Sequence, residues 1–137
     1  MRKKGVGILA LIVLLVAMPA AAAFIGTDDG QVKAVATPIL DNLLAGFNQG
    51  NYAQYSQNFD DTLREAVPEK KFQQVREELL KKMGAFKSKN YLGFLNQKAF
   101  TVVLWKGAFA GTRDDILIKL VLSKRQDKVV VVGLWFQ

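Results

Sequence analysis

The sequence of 137 residues contains neither cysteine nor histidine. Without cysteine the chain has no disulfide bond, no thiolate ligand for zinc and no lipid-attachment residue after an export signal. Without histidine it also lacks the side chain most often used as a general base or metal ligand near neutral pH. Packing must therefore hold any folded domain together, and the commonest zinc and thiol chemistries are excluded.

Other catalytic patterns are missing as well. The sequence has no phosphate-binding glycine loop and no nucleophile elbow. Its twelve acids fall on predicted helix surfaces, caps or turns. The pairs Asp60-Asp61 and Asp114-Asp115 could serve as an acid and a base or as a weak calcium site, but aspartate is foremost a turn and cap residue. We therefore predict no metal and no cofactor, and the absence of an arginine-rich strip argues against nucleic acid as a partner.

The N-terminus predicts export. Basic residues at 2–4, an apolar stretch over 6–16 and small residues at 20–23 are typical of a cleavable signal peptide. Cleavage after Ala23, or Ala22, leaves residues 24–137 as a single secreted or periplasmic domain. The alternative is an uncleaved membrane anchor. Residues 5–27 contain no charged side chain, and about 20 apolar residues are enough to span a bilayer.

Three helices are predicted at the start of the domain. Apolar residues from Val32 to Phe47 recur every three or four positions, which is typical of a helix with one buried face. Pro38 predicts either a kink or a restart with Thr37 as N-cap. Asn51 can cap a short second helix containing Tyr52 and Tyr55, and the third helix is predicted from Pro68 to a stop at Gly84.

Beyond Gly84 the apolar period changes to two, which predicts four strands over 90–97, 100–110, 116–123 and 128–136. Short polar connections favour an antiparallel meander. The last two strands are apolar on both sides, although the helices can cover only one face of the sheet. We therefore expect a homodimer through the other face, and a strongly curved sheet that closes on itself is the rival explanation.

These residues carry a resemblance. The run from Phe47 to Tyr52, Phe59-Asp60, Pro68, the helix ending at Gly84 and the closing segment 132–136 resemble small secreted members of the nuclear-transport-factor-2-like superfamily, which has a cystatin-like α+β fold. The resemblance implies a cone of three N-terminal helices packed on a curved four-stranded antiparallel sheet. It also implies a cavity at the open end of the cone. Enzymes of that superfamily place an acid, histidine or tyrosine on the cone wall, but the strands here contain no carboxylate.

The candidate binding residues follow from that expectation. Lys119 interrupts an apolar strand and could hold the acidic head of an amphipathic ligand at the mouth of the cone, with Trp105, Phe109 and Trp135 lining it. Lys119, like Lys106, could instead be a solvent-facing lysine that discourages aggregation of the sheet.

Two functional hypotheses remain, and a purely structural dimer at the cell surface is a weaker third. The first is a non-catalytic exported domain that binds a small apolar ligand or a protein partner. The second is an isomerase or hydro-lyase that uses Tyr52, Tyr55 or Tyr91 with a buried Asp60. Whether Asp60 points into a cavity or outward at a turn discriminates between them.

Overall fold

The structure, a computed structural model, describes residues 22–137. Four helices precede four long antiparallel strands, and one very short strand precedes the helices. The helices are α1 (Asp29–Gln49), α2 (Tyr52–Tyr55), α3 (Asp61–Ala66) and α4 (Glu69–Lys82), and the strands are β1 (Ala22–Ala23), β2 (Phe86–Gln97), β3 (Phe100–Phe109), β4 (Ile116–Arg125) and β5 (Lys128–Phe136). The predicted α+β class is confirmed. The prediction of three helices and four strands misses one helix and one strand.

The two missed elements are too short to show a period. Helix α3 has six residues and begins at Asp60, whose carboxylate accepts a hydrogen bond from the Leu63 amide at 2.8 Å. The cap alone signals this helix in the sequence. Strand β1 consists of two alanines within the predicted signal, and they pair with Lys124 and Arg125 at the end of β4. The cleavage position stays a prediction.

Helix α1 runs without interruption through Pro38, so a restart at Thr37 is wrong. Its N-cap is Asp28, which accepts from the Gln31 amide at 2.8 Å. Buried residues lie on the same stripe before and after the proline, at Val32, Ala36, Leu40, Leu43, Leu44 and Phe47. Burial of that whole stripe outweighs the one backbone hydrogen bond that a proline removes.

Strands β2 to β5 form the predicted meander, and the sheet curls. One row of opposed residues crosses it from Tyr91 through Trp105 and Ile118 to Phe136. The β2–β3 hairpin turns at Lys98 and Ala99, both with positive φ. The free edge of β5 is covered by the segment before α3, where Val131 exchanges hydrogen bonds with residues 58 and 60. The remaining edges among the described strands are β2 and the two-residue β1.

The main core lies between the helices and one face of the sheet, called here the inner face. Side chains from α1 pack there against Val103, Trp105, Ile118 and Leu120, all of which are buried. Alternate residues of the same strands lie on the opposite, outer face. Among residues 22–137 no helix is long and apolar enough to cross a membrane. The rest of the predicted signal peptide lies outside the described residues.

Candidate functional site

The four residues predicted to line one ligand site lie on two sides of the sheet. Trp105 and Phe109 occupy the inner face, and each is only 2% exposed. Lys119 and Trp135 are opposed across β4 and β5 on the outer face. The structure therefore brings these residues together as two separate pairs, with the sheet between them.

The inner pair belongs to the core. Trp105 packs edge-on against Tyr91, with ring centroids 6.2 Å apart. Phe109 contacts Phe86 and Phe136 in the same manner, at 5.5 and 5.8 Å. Such edge-to-face contacts are favourable between aromatic rings, and they fill the interior. Both side chains thus serve packing in this structure.

The outer pair forms a cation–π contact. The Lys119 ammonium lies 5.2 Å from the centroid of the Trp135 ring. The same ring lies over Gly133, where an added Cβ atom would approach it to 2.3 Å. Glycine at this position therefore lets the indole lie flat on the sheet, and the lysine keeps its charge while its stem covers apolar surface.

A second apolar cluster surrounds Trp135 on the outer face. We call it the outer-face cluster, and it comprises Phe100, Val121, Val130 and Val132, with Val102 and Trp135 packed against them. A bulge at Val132 inserts one extra residue into β5 and shifts its alternation, so that Val132 and Trp135 both lie on the outer face. The cluster accounts for part of the apolar surplus that the sequence predicts in the last two strands.

The outer face also exposes large apolar side chains near the β2 edge. Leu92 is 57% exposed and Leu95 is 52% exposed. Leu95 is opposed to Val102, which joins it to the outer-face cluster. The four long strands carry no aspartate or glutamate, and Lys106 is an exposed cation on this face. The outer face is therefore an apolar surface with positive charge and no negative charge.

Both carboxylate oxygens of Asp60 are engaged by structural partners. One carboxylate oxygen caps α3, and the other pairs with the Arg125 guanidinium at 3.0 Å. The Asp60 side chain is 10% exposed and that of Arg125 is 23% exposed. Both oxygens are thus committed to structure, and this ion pair ties the start of α3 to the end of β4.

Two of the three tyrosines also make structural hydrogen bonds. The Tyr52 hydroxyl donates to the Val67 carbonyl at 2.6 Å, between α3 and α4. The Tyr91 hydroxyl donates to the Asp29 carboxylate at 2.7 Å, which links β2 to the first turn of α1. Neither hydroxyl is free to act on a substrate in this arrangement.

The third tyrosine, Tyr55, borders a small cavity that was not predicted from the sequence. This cavity, of about 140 Å³, lies beneath α4 and is bordered by Tyr55, Phe72 and Leu134. Burial, with Tyr52 nearby, raises the pKa of Tyr55 to about 12. The periodicity of apolar residues in α4 predicts that one of its faces is buried. A cavity depends on the distance between the helix and its neighbours, and the sequence pattern does not contain that distance.

Arg76 joins α4 to the end of α1, a role that the sequence did not indicate. Its guanidinium donates to the carbonyls of Phe47 and Asn48, at 2.5 and 2.8 Å. No basic residue lies in the last turn of α1 itself. A cation from a neighbouring helix thus balances the negative end of the α1 dipole. Gly50, with φ of 71°, ends the helix beneath this guanidinium.

The family described as "Protein of unknown function (DUF3887)" matches residues 41–130. The chain belongs to this family. The match covers α1 from Asp41 onward, the three shorter helices and the strands up to Val130, so the outer face and the cavity beneath α4 both lie mostly inside the DUF3887 region. No curated protein and no solved structure matches the chain.

The acidic pairs singled out in the sequence lie at a helix cap and in a turn of the DUF3887 domain. Over residues 22–137 no three acidic side chains converge to hold an ion. The pair Asp114-Asp115 lies exposed in the turn before β4, as turn chemistry predicts. Asp61 is likewise exposed, in the first turn of α3.

The tyrosine pKa values predict a loss of stability at high pH. Burial and the hydrogen bond to Asp29 raise the pKa of Tyr91 above its ordinary range, and burial raises that of Tyr55 to about 12. The folded state therefore keeps protons that the unfolded chain releases near pH 10. This contribution is complete below that pH and is lost as pH rises toward 12.

Titration of phenolate absorbance measures the effect directly. We expect Asp29→Asn to lower the pKa of Tyr91 and to leave that of Tyr55 unchanged. Urea unfolding at about pH 9 and about pH 11 gives the matching change in stability. Titration of Tyr55 and Tyr91 near pH 10 in the folded protein would contradict the assignment.

Proposed function

We propose that this domain is an exported, non-catalytic binding module, and that a second copy of the same chain binds its outer face. The observation that carries the proposal is the apolar outer face, with Leu92 and Leu95 more than half exposed beside the outer-face cluster. Exposed contiguous apolar patches on soluble domains mark interaction sites. The signal-like N-terminus supports export.

The dimensions of the face set an upper limit on the interface. Four strands span about 20 Å, and nine or ten residues span about 30 Å along each strand. The geometric footprint is therefore about 600 Å² before side-chain relief is added. The buried members of the outer-face cluster are at most 7% exposed, so the accessible part is smaller than the roughly 800 Å² per partner of a standard interface and centres on Leu92 and Leu95. A twofold axis through the middle of the face would place the same strands of both copies in contact.

Charge on the face is compatible with self-association. Lys119 is held over Trp135, so its ammonium already has a partner and its stem extends the apolar surface. Lys106 is exposed on β3, in the register position opposite Leu117. In a twofold dimer the Lys106 side chain can extend to the rim of the interface. There its ammonium stays solvated, and salt screens its repulsion from the lysine of the second copy.

The nuclear-transport-factor-2-like assignment belongs to the same proposal. Helices on the inner face of a curled antiparallel sheet agree with it. The non-catalytic role is supported by the engagement of Asp60, Tyr52 and Tyr91 in structural hydrogen bonds. An isomerase or hydro-lyase of that superfamily would need an acid and a base that face a common cavity.

Light scattering on the purified protein tests the dimer. We expect the wild-type protein to have the mass of two chains at about 100 μM, and Leu95→Glu to have the mass of one. The leucine is half exposed, so a glutamate there should leave thermal unfolding of the monomer nearly unchanged. The charge costs association because it must be desolvated in the interface.

Ala34→Glu is the matched control. It adds the same charge on the exposed side of α1, away from the sheet, and should keep the dimeric mass. Val121→Glu distinguishes interface from core within the outer-face cluster, because that residue is only 7% exposed: a folded monomer would mark an interface position, and unfolding would mark a core position. A wild-type protein that stays monomeric at this concentration would refute the proposal.

A further inference from the structure

The cavity beneath α4 is a second candidate binding site, independent of the outer face. It lies between α4 and the elements below, with Phe47 from α1, Tyr55 from α2 and Leu134 from β5 in its wall. Its volume is about 140 Å³. An apolar protein cavity of about 150 Å³ stays dry and binds benzene. The space therefore accommodates one small ring or one branched alkyl group.

The wall is apolar except at three residues. Phe72, Val75 and Leu79 supply the α4 side, at the spacing that places them on one helix face. The polar members are Tyr55, Lys71 and Arg76, and no aspartate or glutamate borders the space. Both charged members are cations. The cavity thus combines an apolar interior with a positive border, which complements a small anion carrying an apolar body.

The Tyr55 hydroxyl is available as a donor. No side-chain hydrogen bond within residues 22–137 involves this hydroxyl, and it is not among their fully enclosed polar atoms that lack a partner. Tyr55 borders the cavity beneath α4. A tyrosine phenol is protonated at neutral pH, so this hydroxyl can donate to an acceptor oxygen.

Lys71 and Arg76 contribute differently. Arg76 already donates through Nε and Nη2 to the end of α1, so it fixes the wall and adds positive potential. Lys71 is exposed on the first turn of α4, and neither ion pair within residues 22–137 includes it. Its flexible ammonium can close over a carboxylate at the mouth of the cavity.

Helix α4 is attached in a way that permits entry. It is held on the domain mainly by side chains, among them the buried Phe72 and Arg76, which donates to the end of α1. Its N-terminus follows Pro68, which makes no side-chain cap, and Gly84 lies just beyond its C-terminus with φ of 81°. An element with few close contacts is the one most readily displaced to admit a ligand.

We propose that this cavity binds a monocarboxylate with a compact apolar body, such as a small aromatic or branched-chain acid. The apolar body fills the space beneath α4, and the carboxylate accepts a hydrogen bond from the Tyr55 hydroxyl while it pairs with Lys71. Neither the dimer nor the outer face is required, since the two surfaces lie on opposite sides of the sheet.

Isothermal titration with benzoate and with benzyl alcohol tests the proposal on protein expressed from the full-length sequence. We expect saturable binding of benzoate and at least tenfold weaker binding of the alcohol, because only the acid pairs with the lysine. Tyr55→Phe should weaken benzoate about tenfold with thermal unfolding retained, since it deletes one donor to a charged acceptor. Lys71→Gln should weaken benzoate and leave the alcohol unchanged.

Lys70→Gln is the matched control, because Lys70 is the exposed neighbour of Lys71 and does not border the cavity. It should bind benzoate as the wild type does. Equal loss in both lysine variants would mean general attraction of anions, and that result would overturn the proposal. Absence of saturable benzoate binding at millimolar concentration would overturn it as well, whatever the oligomeric mass of the same sample.

Discussion

Trp105→Ala should lower the free energy of unfolding by about 3–5 kcal/mol. The side chain is 2% exposed and packs with Tyr91 on the inner face, so its removal leaves a large cavity that the curled sheet cannot collapse to fill. Domains of this size are stable by only about 5–15 kcal/mol, so the variant should be close to unfolding at physiological temperature. Urea unfolding followed by far-UV circular dichroism measures the loss.

Trp135→Ala is the matched comparison, because it removes the same side chain from the outer face of the sheet. Trp135 is only half buried and lies over Gly133 on the outer face, so its loss should cost less stability than that of Trp105. Its loss should instead weaken association, if the outer face is the dimer interface. Two tryptophan variants of equal stability would contradict the division of the sheet into a packed inner face and a partner-binding outer face.

The long elements of the fold could be predicted from the sequence, but the short ones could not. Strand periodicity predicted β3, β4 and β5 nearly to the residue, and the α1 stripe predicted its buried face despite Pro38. Those signals are local, because side chains alternate along a strand and repeat every three to four residues on a helix. Helix α3 and strand β1 carry too few residues for either signal, and they depend on partners distant in the chain.

The candidate site was harder to predict, for a related reason. Trp105 and Trp135 are both tryptophans within apolar strands, but a bulge at Val132 and the alternation of side chains along β3 place them on opposite faces of the sheet. A single extra residue reverses the face of every residue beyond it. The cavity beneath α4 depends on the distance between helices, and the family match brings no activity with it.

The Asp60 ion pair carries the largest predicted effect outside the aromatic core. Asp60→Ala should lower the free energy of unfolding by about 3 kcal/mol, because it removes the α3 cap and leaves the partly buried Arg125 guanidinium without its carboxylate. The Arg125 Nε atom is already enclosed without a hydrogen-bond partner, so the charge has little else to compensate it. Loss of the pair should also loosen the segment that covers the β5 edge.

A double-mutant cycle separates the cap from the ion pair. Asp60→Asn retains an oxygen that can cap α3 but removes the charge, whereas Arg125→Met removes the cation and keeps the apolar stem. We expect the two single variants together to lose more unfolding free energy than the double variant loses. Each single change leaves one partly buried charge without its partner, whereas the double change removes both charges. Asp61→Ala, at the exposed next position, is the matched control and should cost under about 1 kcal/mol. If Asp60→Ala lost no more than Asp61→Ala, the ion pair would have no part in stability, and Asp60 would again be free to be considered as a functional acid.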